Sequence, residues 1–151
     1  MNEKEFDSII KQVNKEQNIE KLADSYEDFC MHFSCKPDRE EYPYPKDGTV
    51  IDEDKSVKWN REEVKRQRTA FENRIKELNR WKNILCHQYE VRLTNLLGEN
   101  YGITCDESSR IWDYAYEEGH GNSIRNVIAV YSDVVDLYVD LLVLHGKENK
   151  K

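Results

Sequence analysis

The chain has 151 residues, 35% of them charged, and a formal net charge of −7. Leu, Ile, Val and Phe supply 35 of the 151, just above the roughly 20% below which chains stay disordered, so a fold with a thin core and a wide charged surface is expected. No run reaches the ~20 apolar residues of a membrane span, and Glu3, Glu5 and Asp7 break up any secretory leader, which makes the cytoplasm and reduced cysteines the expected setting.

Apolar residues of the first third fall on two opposed sides of one helical wheel. Phe6, Ile9, Ile10 and Val13 lie on one side; Ile19, Leu22, Tyr26, Phe29 and Phe33 lie on the other. One straight helix cannot bury both in one core, so two helices are predicted, about 3–14 and 19–34, with Asn18 capping the second. From Lys36 to Asn60 the helical period stops. Pro37, Tyr42-Pro43-Tyr44-Pro45 and Asp47-Gly48 are turn signals, and Thr49–Ile51 could pair with Ser56–Trp59 as a small hairpin.

A long helix is predicted over 61–97, capped by Asn60 with Glu63 and stopped by Gly98. Thirty-seven residues span about 55 Å at 1.5 Å each, more than the ~38 Å diameter of a compact body of this chain length. Its three-four seam of Phe71, Ile75, Leu78, Leu85 and Tyr89 therefore needs cover. A second copy in a coiled-coil dimer is one source; the N-terminal helices folding back is the other. Thr104-x-x-Glu107 reads as a capping box before Arg110–Tyr116. Gly119-His120-Gly121 is a turn, and Asn122 or Ser123 opens a broadly apolar last helix. The whole predicts a mainly α single domain, 1–151. It is read as a helical bundle with one long central helix and a small irregular or β-hairpin insertion. The parts are two N-terminal helices in 3–34, the insertion at 36–60, the long helix at 61–97, a helical hairpin at 104–145 and a tail at 146–151.

Charge is distributed unevenly. Residues 1–60 hold 9 basic and 15 acidic groups, 61–92 hold 9 and 5, and 93–151 hold 5 and 10. Arg66, Arg74, Lys76, Arg80 and Lys82 alternate with Glu72 and Glu77, which would face the same phosphates, so nucleic-acid binding is not expected. Cys30-x-His32-x-x-Cys35, with Cys86 or His87, holds soft ligands but lacks the C-x₂-C knuckle of zinc sites, and buried apolar thiols are the preferred reading.

The run Ala115-Tyr116-Glu117-Glu118-Gly119-His120, followed by Val127 and a tyrosine-rich apolar helix, resembles the C-terminal segment of small uncharacterised bacteriophage proteins. The likeness covers about residues 107–142 and includes no catalytic motif. It implies a phage origin and, by analogy with such proteins, a modulator or inhibitor acting on a host or defence protein in the host cytoplasm.

Phosphate loops, nucleophile elbows and dinucleotide fingerprints are missing from the sequence. Glu117-x-x-His120 and Asp133-x-x-Asp136 loosely resemble the acidic helices of all-α nucleotide pyrophosphatases, with magnesium as their ion. If 119–121 is a tight corner, however, Glu117 lies roughly 15 Å along the axis from Asp133, and an ion pair between Asp133 and the neighbourhood of Arg110 is cheaper. Tyr42, Tyr44 and Trp59 lie in or beside the irregular segment, where no core stripe claims them, and are the candidate partner-binding residues. The expected function is non-enzymatic protein binding, with no cofactor and with self-association through the long seam. An all-α metal-dependent nucleotide-processing enzyme and a binder of a small phosphorylated ligand through Arg66, Arg74 and Arg80 are the alternatives.

Overall fold

The computed structural model describes residues 1–118 and 123–149, with the side chains of the last helix described as far as Tyr138. The protein is mainly α: five helices and, among the described residues, no strand. Helix α1 covers Glu3–Lys15, and its first turn is closed by the Asn2 side chain, which accepts from the Glu5 N–H at 2.9 Å. Helix α2 covers Ile19–His32. Asn18 Oδ1 accepts from the Lys21 N–H at 3.0 Å, satisfying one of the donors a helix start leaves open.

Helix α3 covers Val57–Tyr101, 45 residues or about 67 Å. Both of its expected ends need correction. Ser56, not Asn60, is the cap: its hydroxyl accepts from the Trp59 N–H at 3.1 Å. The hairpin strand placed at Ser56–Trp59 is therefore the cap and first turn of a helix, and the insertion takes the irregular form. Gly98 is a helical residue. The stop is Gly102, whose φ of +66° suits glycine. There the Ile103 N–H reaches Gly98 O at 3.0 Å and the Gly102 N–H reaches Glu99 O at 3.3 Å, the paired bonds of a Schellman ending.

Helix α4 covers Cys105–Glu118 and helix α5 covers Ile124–Asn149. The Thr104–Glu107 capping box is formed: the Glu107 N–H meets Thr104 Oγ1 at 3.1 Å, and the Thr104 N–H meets Glu107 Oε1 at 3.4 Å. The turn at Gly119-His120-Gly121 and the cap at Asn122 lie outside the described residues.

Helix α5 begins under a side chain borrowed from α2. One oxygen of Glu27 accepts from Ser123 Oγ at 2.6 Å and from the Ile124 N–H at 2.8 Å. The Ser123 hydroxyl, then the Arg125 and Ile124 amides, hold the Glu27 carboxyl below its ordinary range. A depressed carboxylate contributes stability above its unfolded pKa and loses it as pH falls through its folded pKa. Glu27→Ala should therefore cost about 1 kcal/mol at neutral pH. Urea midpoints of variant and parent should converge as pH falls below the ordinary carboxylate range and through the lowered folded pKa.

Two compact units divide the chain. The first contains Met1–Phe6 and Phe33–Leu85, the second Asp7–His32 and Cys86–Lys151. Helix α3 supplies residues to both. In the second unit α5 packs on α4 and α2, around buried Leu22, Leu93, Ile111, Trp112, Val127, Tyr131 and Val135. Ser108, fully buried, donates to Thr94 O at 2.5 Å and accepts from the Tyr131 hydroxyl at 2.8 Å. Both burial penalties are thereby met.

Candidate binding cleft beside the long helix

In the first unit the irregular segment runs antiparallel along α3. Tyr42 lies under the Arg74 guanidinium, 5.6 Å from ring centroid to Cζ. Tyr44 packs on Phe71 at 5.1 Å and lies under Arg68 at 5.3 Å. Arg68 also donates to Pro45 O at 2.7 Å and to Asp47 Oδ1 at 2.8 Å. Further along, Asn60 Oδ1 accepts from the amides of Ile51 at 2.7 Å and Asp52 at 3.0 Å. Its Nδ2 donates to Asp52 O at 3.1 Å and Ser56 O at 2.9 Å. Residues 42–56 thus lack regular structure but are held at four successive levels of α3, through side-chain rings at Arg74 and Phe71 and through the backbone at Arg68 and Asn60.

Arg74 is the centre of this arrangement. Its side chain is only 13% exposed. It binds Glu77 and the Met1 carbonyl, and it lies against Trp81 as well as Tyr42. Phe6 stacks on the same Trp81 at 5.3 Å, so one cation draws the chain start, the irregular segment and α3 together.

Below Arg68 the segment stands away from α3 and leaves a cleft of about 850 Å³. Gly48, at φ +80°, turns the outer wall; Val57, Arg61, Val64, Lys65 and Arg68 follow one face of α3 as the inner wall. Val50 and Val57 are 62% and 69% exposed there. Among the described residues Arg61 and Lys65 enter no ion pair, and Lys55 lies over the Trp59 ring at 5.9 Å. The volume is within the 300–1,000 Å³ of ordinary ligand sites.

The aromatic residues singled out in the sequence do not form one patch. Tyr42 and Tyr44 lie opposite Arg74 and Phe71, which are about one turn apart on α3. Trp59 sits twelve residues before Phe71 on α3, about 18 Å along its axis. Tyr44 is 39% exposed, and Tyr42 and Trp59 are half-buried.

The seam offered for self-association is largely closed within one chain. Leu78, Leu85 and Tyr89 are 3%, 0% and 3% exposed, and only Phe71 and Ile75 remain half-buried. In the second unit Tyr26 covers Tyr89, stacked at 4.9 Å with planes 4° apart, and Phe29 adds a second ring at 5.8 Å. These three side chains are thus covered within the chain itself.

Glu117, Asp133 and Asp136 are exposed, and His120 lies outside the described residues. Among the described residues no three His, Cys, Asp or Glu side chains come together as a metal cluster. Arg110 and Asp133 do not pair among the described ion pairs; polar contacts joining α4 and α5 are instead Ser108 with Tyr131 and Tyr138 donating to Glu107 at 2.6 Å. Of the arginines considered for phosphate, Arg66 is taken by Glu63 and Arg74 by Glu77.

No family model, curated protein or solved structure matches the chain.

Proposed function

We propose that the protein is a non-enzymatic protein-binding module whose first-unit cleft takes an acidic segment of its partner carrying an apolar side chain. The carrying observation is the pair Val50 and Val57, largely bare in a cleft whose walls are fixed by Asn60 and Arg68. Lys55, Arg61 and Lys65 edge the same cleft and enter none of the described ion pairs, beside the carboxylates of Asp47, Glu53 and Glu62 in its lining. Apolar side chains enter the floor, and carboxylates are steered by the cations.

Charge favours the first unit for such a partner. It holds 14 basic and 13 acidic residues, against 9 and 17 in the second unit, which repels an acidic chain. In this reading the helices form a bundle centred on α3, with the insertion as its binding face. The likeness of residues 107–142 to small bacteriophage proteins supports a host or defence protein as the target.

Selection from a random peptide display library tests the reading. Enriched peptides should carry Asp or Glu beside Leu, Ile or Phe. The pair Arg61→Glu with Lys65→Glu should weaken them at least about tenfold, which corresponds to about 1.4 kcal/mol. Enrichment of basic peptides, or none, defeats the proposal. Magnesium-dependent cleavage of a nucleotide by the same preparation would favour the enzyme alternative.

A further inference from the structure

We propose that Cys30 and Cys86 are an oxidisable dithiol pair that joins α2 to the second-unit part of α3. The two helices run antiparallel within the second unit. Arg92 Nε donates to Glu16 O at 3.0 Å before α2 begins; further along, Ser25 Oγ meets the Tyr89 hydroxyl at 2.7 Å and the Tyr26 hydroxyl donates to Glu90 Oε1 at 3.1 Å. From Glu16 opposite Arg92 to Ser25 and Tyr26 opposite Tyr89 and Glu90, the chain advances in α2 while it retreats in α3. Cys30 is one turn beyond Tyr26 on the same helix face, and Cys86 is one turn before Glu90 on its own. The register therefore sets the two cysteines opposite each other.

A second observation agrees. Both thiols act electrostatically on the Tyr26 hydroxyl, and both act on that of Tyr89, so both sulfurs lie near the same stacked pair of phenols. Helix axes pack 8–10 Å apart, and Cα atoms lie ~2.3 Å from each axis. Facing Cα atoms are then about 3.4–5.4 Å apart, overlapping the 4.4–6.8 Å that a disulfide spans. Cys30 is exposed and Cys86 half-buried, which makes Cys30 the sulfur an oxidant meets first.

With a peroxide as oxidant the chemistry balances. The Cys30 thiolate attacks one peroxide oxygen, the O–O bond breaks, and the departing hydroxide takes up the thiol's proton as water. The Cys86 sulfur then attacks the resulting sulfenic sulfur, the S–O bond breaks, and the leaving hydroxide takes the Cys86 proton as a second water. Two thiols are oxidised and one peroxide is reduced.

The test is hydrogen peroxide treatment of the full chain, alkylation and peptide mapping by mass spectrometry. One Cys30–Cys86 linked pair is expected, in a species that stays monomeric without reductant. Cys35 and Cys105 should remain alkylated. The oxidised protein should melt higher than the reduced one, and Cys30→Ser, a change at an exposed position, should abolish both the link and the shift. Cys86→Ser should leave Cys30 over-oxidised and unlinked. Full alkylation of all four cysteines, a link to Cys35 or Cys105, or over-oxidised Cys30 in the parent chain would each overturn the pairing.

Discussion

Replacing Arg74 by alanine should remove about 3 kcal/mol or more of stability from the first unit. The guanidinium touches two aromatic rings, a carboxylate and a main-chain carbonyl while only 13% exposed. A desolvated cation–π contact contributes up to ~2 kcal/mol, and a hydrogen bond to a charged group ~1.5–3. The variant also leaves Glu77 without its cation. Arg74→Lys should recover less than half of the loss, because an ammonium cannot lie flat on Tyr42 and Trp81 while still reaching Met1 and Glu77. Urea denaturation followed by tryptophan fluorescence checks both variants, since Trp81 is itself one of the contacts. A midpoint within error of the parent for Arg74→Ala would show that the cluster is decorative.

Gly98→Val should cost the second unit roughly 2–3 kcal/mol. A Cβ at Gly98 would lie 3.1 Å from Ser108 Cβ and 3.3 Å from Ser108 Oγ. Ser108 cannot retreat easily, because its hydroxyl is held between Thr94 O and Tyr131. The branched methyls of valine extend into the same space. The pairing can be separated from any general intolerance at position 98 by a double-mutant cycle. Gly98→Ala should be destabilising by itself, and much less so in a Ser108→Gly background, where the opposing Cβ is gone. Equal costs in both backgrounds would place the strain elsewhere.

Much of the local structure was legible because its signals are local. Asn18, Thr104 and Glu107 act through hydrogen bonds spanning three residues, and the opposed apolar faces of α1 and α2 require a break whatever packs on them. The ends of α3 were less legible, since Asn60 and Gly98 satisfy the same statistical rules as Ser56 and Gly102. What separates them is tertiary. Asn60 is committed to the segment 51–56, and Gly98 is small because Ser108 approaches it.

The seam shows the same limit. Periodicity identifies Leu78, Leu85 and Tyr89 as residues that need cover, and cannot say which chain supplies it. The candidate site was least legible. Val50 and Val57 read as strand residues, and Arg74 as an anion ligand, because a sequence does not show that an aromatic Tyr-Pro-Tyr-Pro run is laid against a helix thirty residues later. The spacing of arginines at 68 and 74 opposite that run was the available signal.

The buried amide of Asn60 has a kinetic and entropic consequence for recognition. Fixing a residue's backbone costs about 1–2 kcal/mol, and an unstructured loop that orders only on contact spends that amount from its binding energy. Here five hydrogen bonds to one side chain set the path of 51–56 during folding. In the proposed binding role a partner would meet a surface already in its docking conformation, so encounter need not wait for the loop to order, and changes of the rim cations should act mainly on the association rate.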